Sequence, residues 1–300
     1  MQAVTIVIPV YNKLELTVSC IVSLKKHINN SQFVLGESVH ILVYNDGSED
    51  DTESYLKSNF KDIHLLTGPG NYWWTKSINA AVRYSINNLN SSYILLWNND
   101  INCSDNYFER IYTLINDSSN SNKLIGSLVF DLHTNILISR GGFFNNQNGN
   151  FGMLCEDNEE KNISWITGMG SLIPVSIIKK INYWNDISFP HYFGDADFTM
   201  RARMAGFKLV VDRDLLIFND TKNSGYQHDG SILRFAKSFF VINSYYNLRL
   251  RLKILKFYSL NIPSYVFLLS FYFSIFLNFL KYKLKKLKAT LTHNNAFKIF

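Results

Sequence analysis

Tyr93-Ile94-Leu95-Leu96-Trp97, an apolar run of strand length, stops at Asn98-Asn99-Asp100. A buried strand that ends this way carries a carboxylate, flanked by amides, to the edge of a cleft. The same arrangement occurs twice upstream. Val4-Thr5-Ile6-Val7-Ile8-Pro9-Val10 runs into Tyr11-Asn12, and Val39 to Tyr44 runs into Asn45-Asp46-Gly47-Ser48. In an open parallel α/β sheet, ligands bind outside the carboxyl ends of the strands. Three polar strand ends are therefore expected to meet in one crevice.

The segments between these strands read as helices. Asn12 and Glu15 have the spacing of a capping box, Leu14, Val18, Ile21 and Val22 keep helical spacing, and Lys25-Lys26-His27 suits a helix C-terminus. A second helix is predicted near 50–59, a short strand at 63–67 and a third helix carrying Trp73, Trp74, Ile78, Ala81 and Val82. The alternation implies a parallel sheet. Beyond residue 124 the pattern changes: Leu124–Phe130 and Ile136–Arg140 are strand-like, Gly141-Gly142 is a break, and an Asn-rich loop follows at 145–150. A smaller, mixed sheet region is expected there. Pro174 opens a short helix to Ile181, Asp195–Ala205 a further one, and Lys208–Asp212 a strand.

Three hundred residues with 47% hydrophobic and 15% aromatic content can bury a large core, while a charged fraction of 18% leaves part of the surface apolar. The net charge of +6 has much of its excess late in the chain, at Arg249, Arg251, Lys253 and Lys256 and again at Lys281, Lys283, Lys285, Lys286 and Lys288. No compact module places stacking aromatics beside these cations, so no nucleic-acid partner is expected. Cys20, Cys103 and Cys155 have neither metal-ligand spacing nor an even disulfide framework, which fits a reducing compartment. The N-terminal residues lack the pattern of a secretory signal.

Several residues carry chemistry. Asp46 can accept a hydrogen bond from the imide N–H of a uracil or thymine, or serve as an ordinary turn residue. Asp100 is a hard oxygen ligand suited to Mg²⁺ or Mn²⁺ held against a diphosphate, with Asn98 beside it; otherwise it is a loop carboxylate. In Gly194-Asp195-Ala196-Asp197-Phe198-Thr199-Met200-Arg201, Asp197 and Arg201 stand four apart and can pair on a helix. Asp195 is left as a general base or an N-cap. Trp165-Ile166-Thr167-Gly168 suits a sugar platform or a buried turn, and Gly70 with Trp74 either borders the same pocket or belongs to the core. His228 is a candidate for a metal or phosphate contact, or a surface histidine. From Ile262 to Leu280 there is no charge, enough for a membrane span by length. Ser270, Ser274 and Asn278 continue into Lys281, Lys285 and Lys288 as one polar stripe, and both flanks are basic. The expected arrangement is an interfacial helix on an anionic membrane surface, with a single span second and burial against the protein third.

Taken in order, these motifs resemble family 2 glycosyltransferases of the GT-A fold, especially bacterial rhamnosyltransferase-like members that build surface polysaccharides. The resemblance spans about residues 3–250. Pro9 and Tyr11 lie in what looks like the opening strand, Asn45-Asp46-Gly47-Ser48 is similar to the nucleotide-binding turn, and Asn98-Asn99-Asp100 stands at the DxD position. Thr167-Gly168 resembles the acceptor-side segment, and Gly194-Asp195-Ala196-Asp197 with Arg201 the acidic catalytic motif. It implies an α/β fold with a mostly parallel central sheet, a smaller mixed acceptor-side sheet and C-terminal amphipathic helices. The implied domains are a catalytic one over 1–250 and a membrane-associating segment over 251–300. By resemblance, Asp46 contacts the base, Asp100 binds Mg²⁺ or Mn²⁺, and Asp195 is the base of an inverting displacement. The implied partners are a UDP- or TDP-linked nucleoside-diphosphate sugar and a lipid-linked glycan acceptor, at the cytoplasmic face of the bacterial inner membrane. A polyprenyl-phosphate acceptor and a catalytically inactive binding partner are the alternatives. Asn45, Asn98 and Gly194 depart from residues that are commonly acidic in the family.

Overall fold

The computed structural model describes residues 2–155, 163–221 and 231–296, with side chains as far as Lys286. Internal contacts divide the chain into two compact units, residues 1–144 with 151–224 and residues 145–150 with 225–300.

The first unit begins β1 (Val4–Val10), α1 (Leu14–Asn29), β2 (Val39–Asn45), α2 (Thr52–Asn59), β3 (His64–Thr67), α3 (Trp73–Asn88) and β4 (Tyr93–Leu96). The four strands lie side by side in the order β3-β2-β1-β4, all parallel. Their apolar runs are unbroken because both faces are covered. Ile6, Ile8, Ile41, Val43 and Leu95 enter one core with Ile21 and Leu24 of α1, while Val7, Leu42, Ile94 and Leu96 enter the other with Ile78, Ala81 and Val82 of α3. Full burial of each such side chain contributes about 1.5–3 kcal/mol.

The mixed region expected after residue 124 continues this sheet. β5 (Ile101–Cys103), α4 (Tyr107–Asn116), β6 (Lys123–Asp131), β7 (Leu137–Ser139), β8 (Gly142–Asn145), β9 (Asn150–Met153), β10 (Ser171–Pro174), α5 (Val175–Ile181), α6 (Gly194–Met204) and β11 (Lys208–Asn219) complete the unit. From β4 the order runs β10-β6-β11-β5, with β7 on β6, giving nine strands among the described residues. β10 is antiparallel to both neighbours and β6 is parallel to β11. Strand order reverses between β1 and β4, so the crevice at their carboxyl ends is a topological switch point. The hairpin β8–β9 stands apart, and its tip counts with the second unit.

The capping box expected at Asn12 and Glu15 does not form. Asn12 and Lys13 are both left-handed, with φ of 56° and 60°. The Asn12 amide oxygen instead accepts the Glu49 N–H at 2.8 Å, and the Leu14 N–H is met by Asp50 at 3.2 Å. The loop after β2 thus caps the helix after β1, and the two loops clasp.

The second unit holds α7 (Ile232–Ser238), α8 (Leu248–Tyr258) and α9 (Ile262–Ala296). The Asn146 carbonyl accepts the Ser259 hydroxyl and, at 2.9 Å, the Asn261 amide. One face of α9 is buried at Ser264, Leu268 and Phe279, with Phe279 stacked on Phe235 at 4.0 Å. Another face exposes Val266, Leu269, Phe273, Phe276 and Leu280. Ile262–Lys286, of mean hydropathy 1.6, is long and apolar enough to cross a membrane by length and composition.

Candidate active site

Asp46 leaves the end of β2 and turns back onto the segment before α3. One carboxylate oxygen accepts the Gly70 N–H at 3.1 Å, and the other accepts those of Tyr72 and Trp73, both at 2.8 Å. These donors include amides that a helix start leaves without an intrahelical partner, so the carboxylate caps α3 from a neighbouring strand. The fit is close. A Cβ on Gly47 would lie 2.6 Å from the Gly70 nitrogen, and both glycines have positive φ, +65° and +87°. Trp73 follows at φ 56°. A bulky residue held there stores roughly 1–3 kcal/mol of strain, a condition that clusters at functional sites.

That turn delivers Trp74 inward. Its indole N–H donates to the Asn98 side-chain oxygen at 3.2 Å, just beyond β4. Its ring also lies against Gly168, where a Cβ would be 2.6 Å from the Trp74 ring. The Gly168 N–H in turn donates to the Asp195 carboxylate at 2.9 Å. Asp46, Trp73-Trp74, Asn98, Gly168 and Asp195 are therefore linked by hydrogen bonds, one ring contact and the Trp73–Trp74 peptide, although they come from five separate segments.

Asp195 stands in the first turn of α6, which starts from left-handed Phe193 at φ 67°. Gly194 has a steric cause: a Cβ there would meet the Thr75 hydroxyl at 2.4 Å, so a larger residue would push α6 off α3. The second Asp195 oxygen accepts the Ala196 N–H at 2.8 Å, and among the described residues no cation pairs with the carboxylate. Burial holds its pKa above the usual carboxylate range, against the lowering effect of these N–H groups. A half-buried carboxylate fixed by two backbone donors is built to accept a proton.

Asp100 is half-buried, and burial raises its pKa too; Lys13 lowers it and Asp220 raises it. Asp220 was not anticipated. The Ile101–Asn219 pairing of β5 with β11 extends one residue further through an Asp220 N–H to the Asp100 carbonyl at 3.0 Å, which sets the two aspartates opposite each other. Asp220 is met by the His133 ring nitrogen at 3.0 Å, and like charges in that register destabilise a sheet unless such a partner or a cation intervenes. The signal was present in the sequence: Leu215-Leu216-Ile217-Phe218 runs into Asn219-Asp220 much as Trp97 runs into Asn98-Asn99-Asp100. Among the described residues no three His, Cys, Asp or Glu form a group that could hold a metal. Two hard carboxylates fit Mg²⁺ or Mn²⁺ only as a partial shell completed by phosphate oxygens and water. His191 was also missed. Its ring meets Trp73 edge-on at 5.9 Å, and burial lowers its pKa to about 4, so it is neutral at pH 7.

Other residues sit differently. Trp165 is buried and stacked on Phe151 at 4.8 Å, which fills the ring face a sugar platform would use. Thr167 is buried, and its carbonyl accepts the Ser171 hydroxyl. Asp197 is buried and receives Arg201 Nε at 2.9 Å, while the other guanidinium nitrogens reach the Ile181 and Tyr183 carbonyls at 2.7 and 2.9 Å. That pair ties α6 to the end of α5. Pro9 pairs with Tyr44 within the sheet, and Tyr11 is exposed beyond β1. His228 lies outside the described residues.

The glycosyl transferase family 2 model matches residues 5–181. Among curated proteins none matches the sequence. The fold is similar to that of GalNAc-T7 with UDP, GalNAc and Mn²⁺: TM-score 0.62 at 10% identity, covering 85% of this chain and 48% of that one. This chain therefore spans about half the length of that protein. It is also similar to the mannosyltransferase PcManGT from Pyrobaculum calidifontis in complex with GDP-Man and Mn²⁺, with TM-score 0.52, 13% identity and coverage of 89% and 78%. S. aureus TarS 1-349 in complex with UDP gives TM-score 0.51, 13% identity and coverage of 72% and 60%. At these identities the likeness concerns the fold, which is the GT-A α/β architecture.

Proposed function

The chain belongs to glycosyl transferase family 2, and from that premise we propose that it is an inverting transferase. In this reading it moves a sugar from a UDP- or TDP-linked donor to a hydroxyl of a lipid-linked surface polysaccharide, at the cytoplasmic face of a bacterial inner membrane. The observation that carries the reading is the contact chain from Asp46 through Trp74, Asn98 and Gly168 to Asp195. It links the strand end suited to a nucleotide with a carboxylate suited to a base.

The chemistry follows from the residues. Asp46 uses one lone-pair direction of the oxygen facing Gly70 and keeps another for the imide N–H of a pyrimidine. A divalent ion bound at Asp100 and Asp220 would supply charge neutralisation for the departing nucleoside diphosphate. Asp195 accepts the proton of the acceptor hydroxyl as its oxygen bonds to the anomeric carbon and the bond to the diphosphate breaks on the opposite face. Neutral His191 beside Trp73 adds no charge to the donor pocket.

The test is thermal unfolding with UDP-, TDP- and GDP-sugars, with and without Mn²⁺. The expected outcome is a metal-dependent rise in Tm with one nucleotide class, since a ligand of the native state stabilises it by linkage. Were no nucleotide to shift the transition at any metal concentration, the donor site as drawn would be wrong.

A further inference from the structure

The second unit carries an unusual charge distribution. From Ser231 to Phe300 there are twelve Lys and Arg and no Asp or Glu. The first 230 residues keep the other 18 of 30 Lys and Arg and all 24 Asp and Glu, a net charge of −6 against +12. Within this unit α8 sorts its residues by face. Leu250, Arg251, Ile254 and Leu255 are buried, with Arg251 packed between Tyr245 and Phe271 at 4.4 and 3.9 Å. Arg249, Lys253 and Lys256, spaced four and three apart, share the opposite face.

That outer face borders a cavity of about 590 Å³, lined by Phe239, Phe240, Leu248, Leu252 and the three cations. Its volume is in the range of small-molecule sites. The Leu248 N–H donates to the Phe239 carbonyl at 2.9 Å, which fixes the aromatic wall against the start of the helix. Phe240 is 75% exposed and Leu252 39% exposed, so the apolar wall is open to a ligand. Partial burial lowers the Lys253 pKa, and repulsion from Arg249 adds to it. Apolar walls select a hydrocarbon; three cations on one face, with no acid in the whole segment, select an anion. One molecule that satisfies both is an amphiphile with an anionic head.

We propose that this cavity of the second unit is a binding site for a lipid bearing a phosphate head, with Arg249, Lys253 and Lys256 on the phosphate and Phe239, Phe240, Leu248 and Leu252 on the first part of the chain. The inference rests on the lipid-linked acceptor of the reading above, and it gives that reading a place on the molecule for the lipid phosphate. A generally basic surface attracts any anionic membrane. A built pocket distinguishes the phosphate-bearing amphiphile from either of its halves.

The experiment titrates the full chain with farnesyl phosphate below its micelle concentration, and separately with farnesol and inorganic phosphate, by calorimetry. Farnesyl phosphate is expected to bind at least about tenfold more tightly than either half. The Arg249→Gln/Lys253→Gln protein should lose at least about tenfold in that affinity, as removal of two charge-assisted contacts requires. The Lys281→Gln/Lys285→Gln protein, altered outside the cavity, should keep it. Equal loss in both variants, or phosphate binding as tightly as farnesyl phosphate, would overturn the site in favour of diffuse attraction. Unfolding curves run with UDP-sugar and Mn²⁺ keep the two readings apart: a missing donor shift in the unaltered chain counts against the transferase, and absent farnesyl phosphate binding by that chain with the donor shift intact counts against the cavity alone.

Discussion

At the scale of single residues, the two aspartates that organise the site do different work. Asp195 is held by two backbone donors, and its raised pKa means that folding disfavours its ionised form. The sign of two effects follows. As a base it must be deprotonated, so the acid limb of kcat/KM should fall at a pH above the ordinary aspartate value of about 3.9. As a half-buried carboxylate whose folded pKa exceeds the unfolded one, it makes its fullest contribution to stability below the unfolded pKa, and loses it as pH rises through the folded pKa. Asp195→Asn should therefore lower transfer by about 10²–10⁴-fold and leave donor binding in place. Transfer retained by that variant would remove Asp195 as the base. Asp46 acts as a cap. Asp46→Ala strands the amides of Gly70, Tyr72 and Trp73, so urea unfolding should show a loss of about 1–3 kcal/mol, together with weaker donor binding. An unchanged unfolding midpoint would show that α3 does not depend on this cap.

At the scale of elements, strand ends and helix starts do most of the positioning. The ends of β2 and β4, the strained entry to α3 and the glycine-opened start of α6 meet because Gly168 and Gly194 leave room for Trp74 and Thr75. These strands were legible in the sequence because both faces are buried, which produces continuous apolar runs with abrupt polar ends. The cap of α1 was not legible. Asn12 and Glu15 have the right spacing, yet the backbone is left-handed at Asn12 and the donors are met from the neighbouring loop. Trp165 was misleading in a similar way, since an aromatic beside glycines looks the same whether it faces a cleft or stacks on Phe151. For α9, the exposed Leu269 and Phe273 are the natural probes. Leu269→Asp/Phe273→Asp leaves the buried face untouched and should reduce co-sedimentation with anionic vesicles by more than about tenfold, given about 1.5–3 kcal/mol for each large apolar side chain. Vesicle binding equal to that of the unaltered chain would mean that this face does not enter a bilayer.

At the scale of the whole molecule, the chain pairs an acidic first 230 residues with a basic last 70. Attraction to an anionic leaflet should then weaken steeply between 0.1 and 1 M salt, as the screening length falls from about 10 Å to about 3 Å, while donor binding in the first unit persists. Salt-independent vesicle binding would leave α9 acting by apolar insertion alone. The sequence by itself determined the alternation of strands and helices, the polar strand ends, the family and the basic C-terminal segment, because each is written in local periodicity or in motif order. Tertiary structure alone decided three things: that Asp46 caps α3, that Asp220 stands opposite Asp100, and that Trp74 links Asn98 to the segment holding Asp195. Each joins residues distant in the chain through sheet register or backbone approach, and no local pattern records which strand lies beside which.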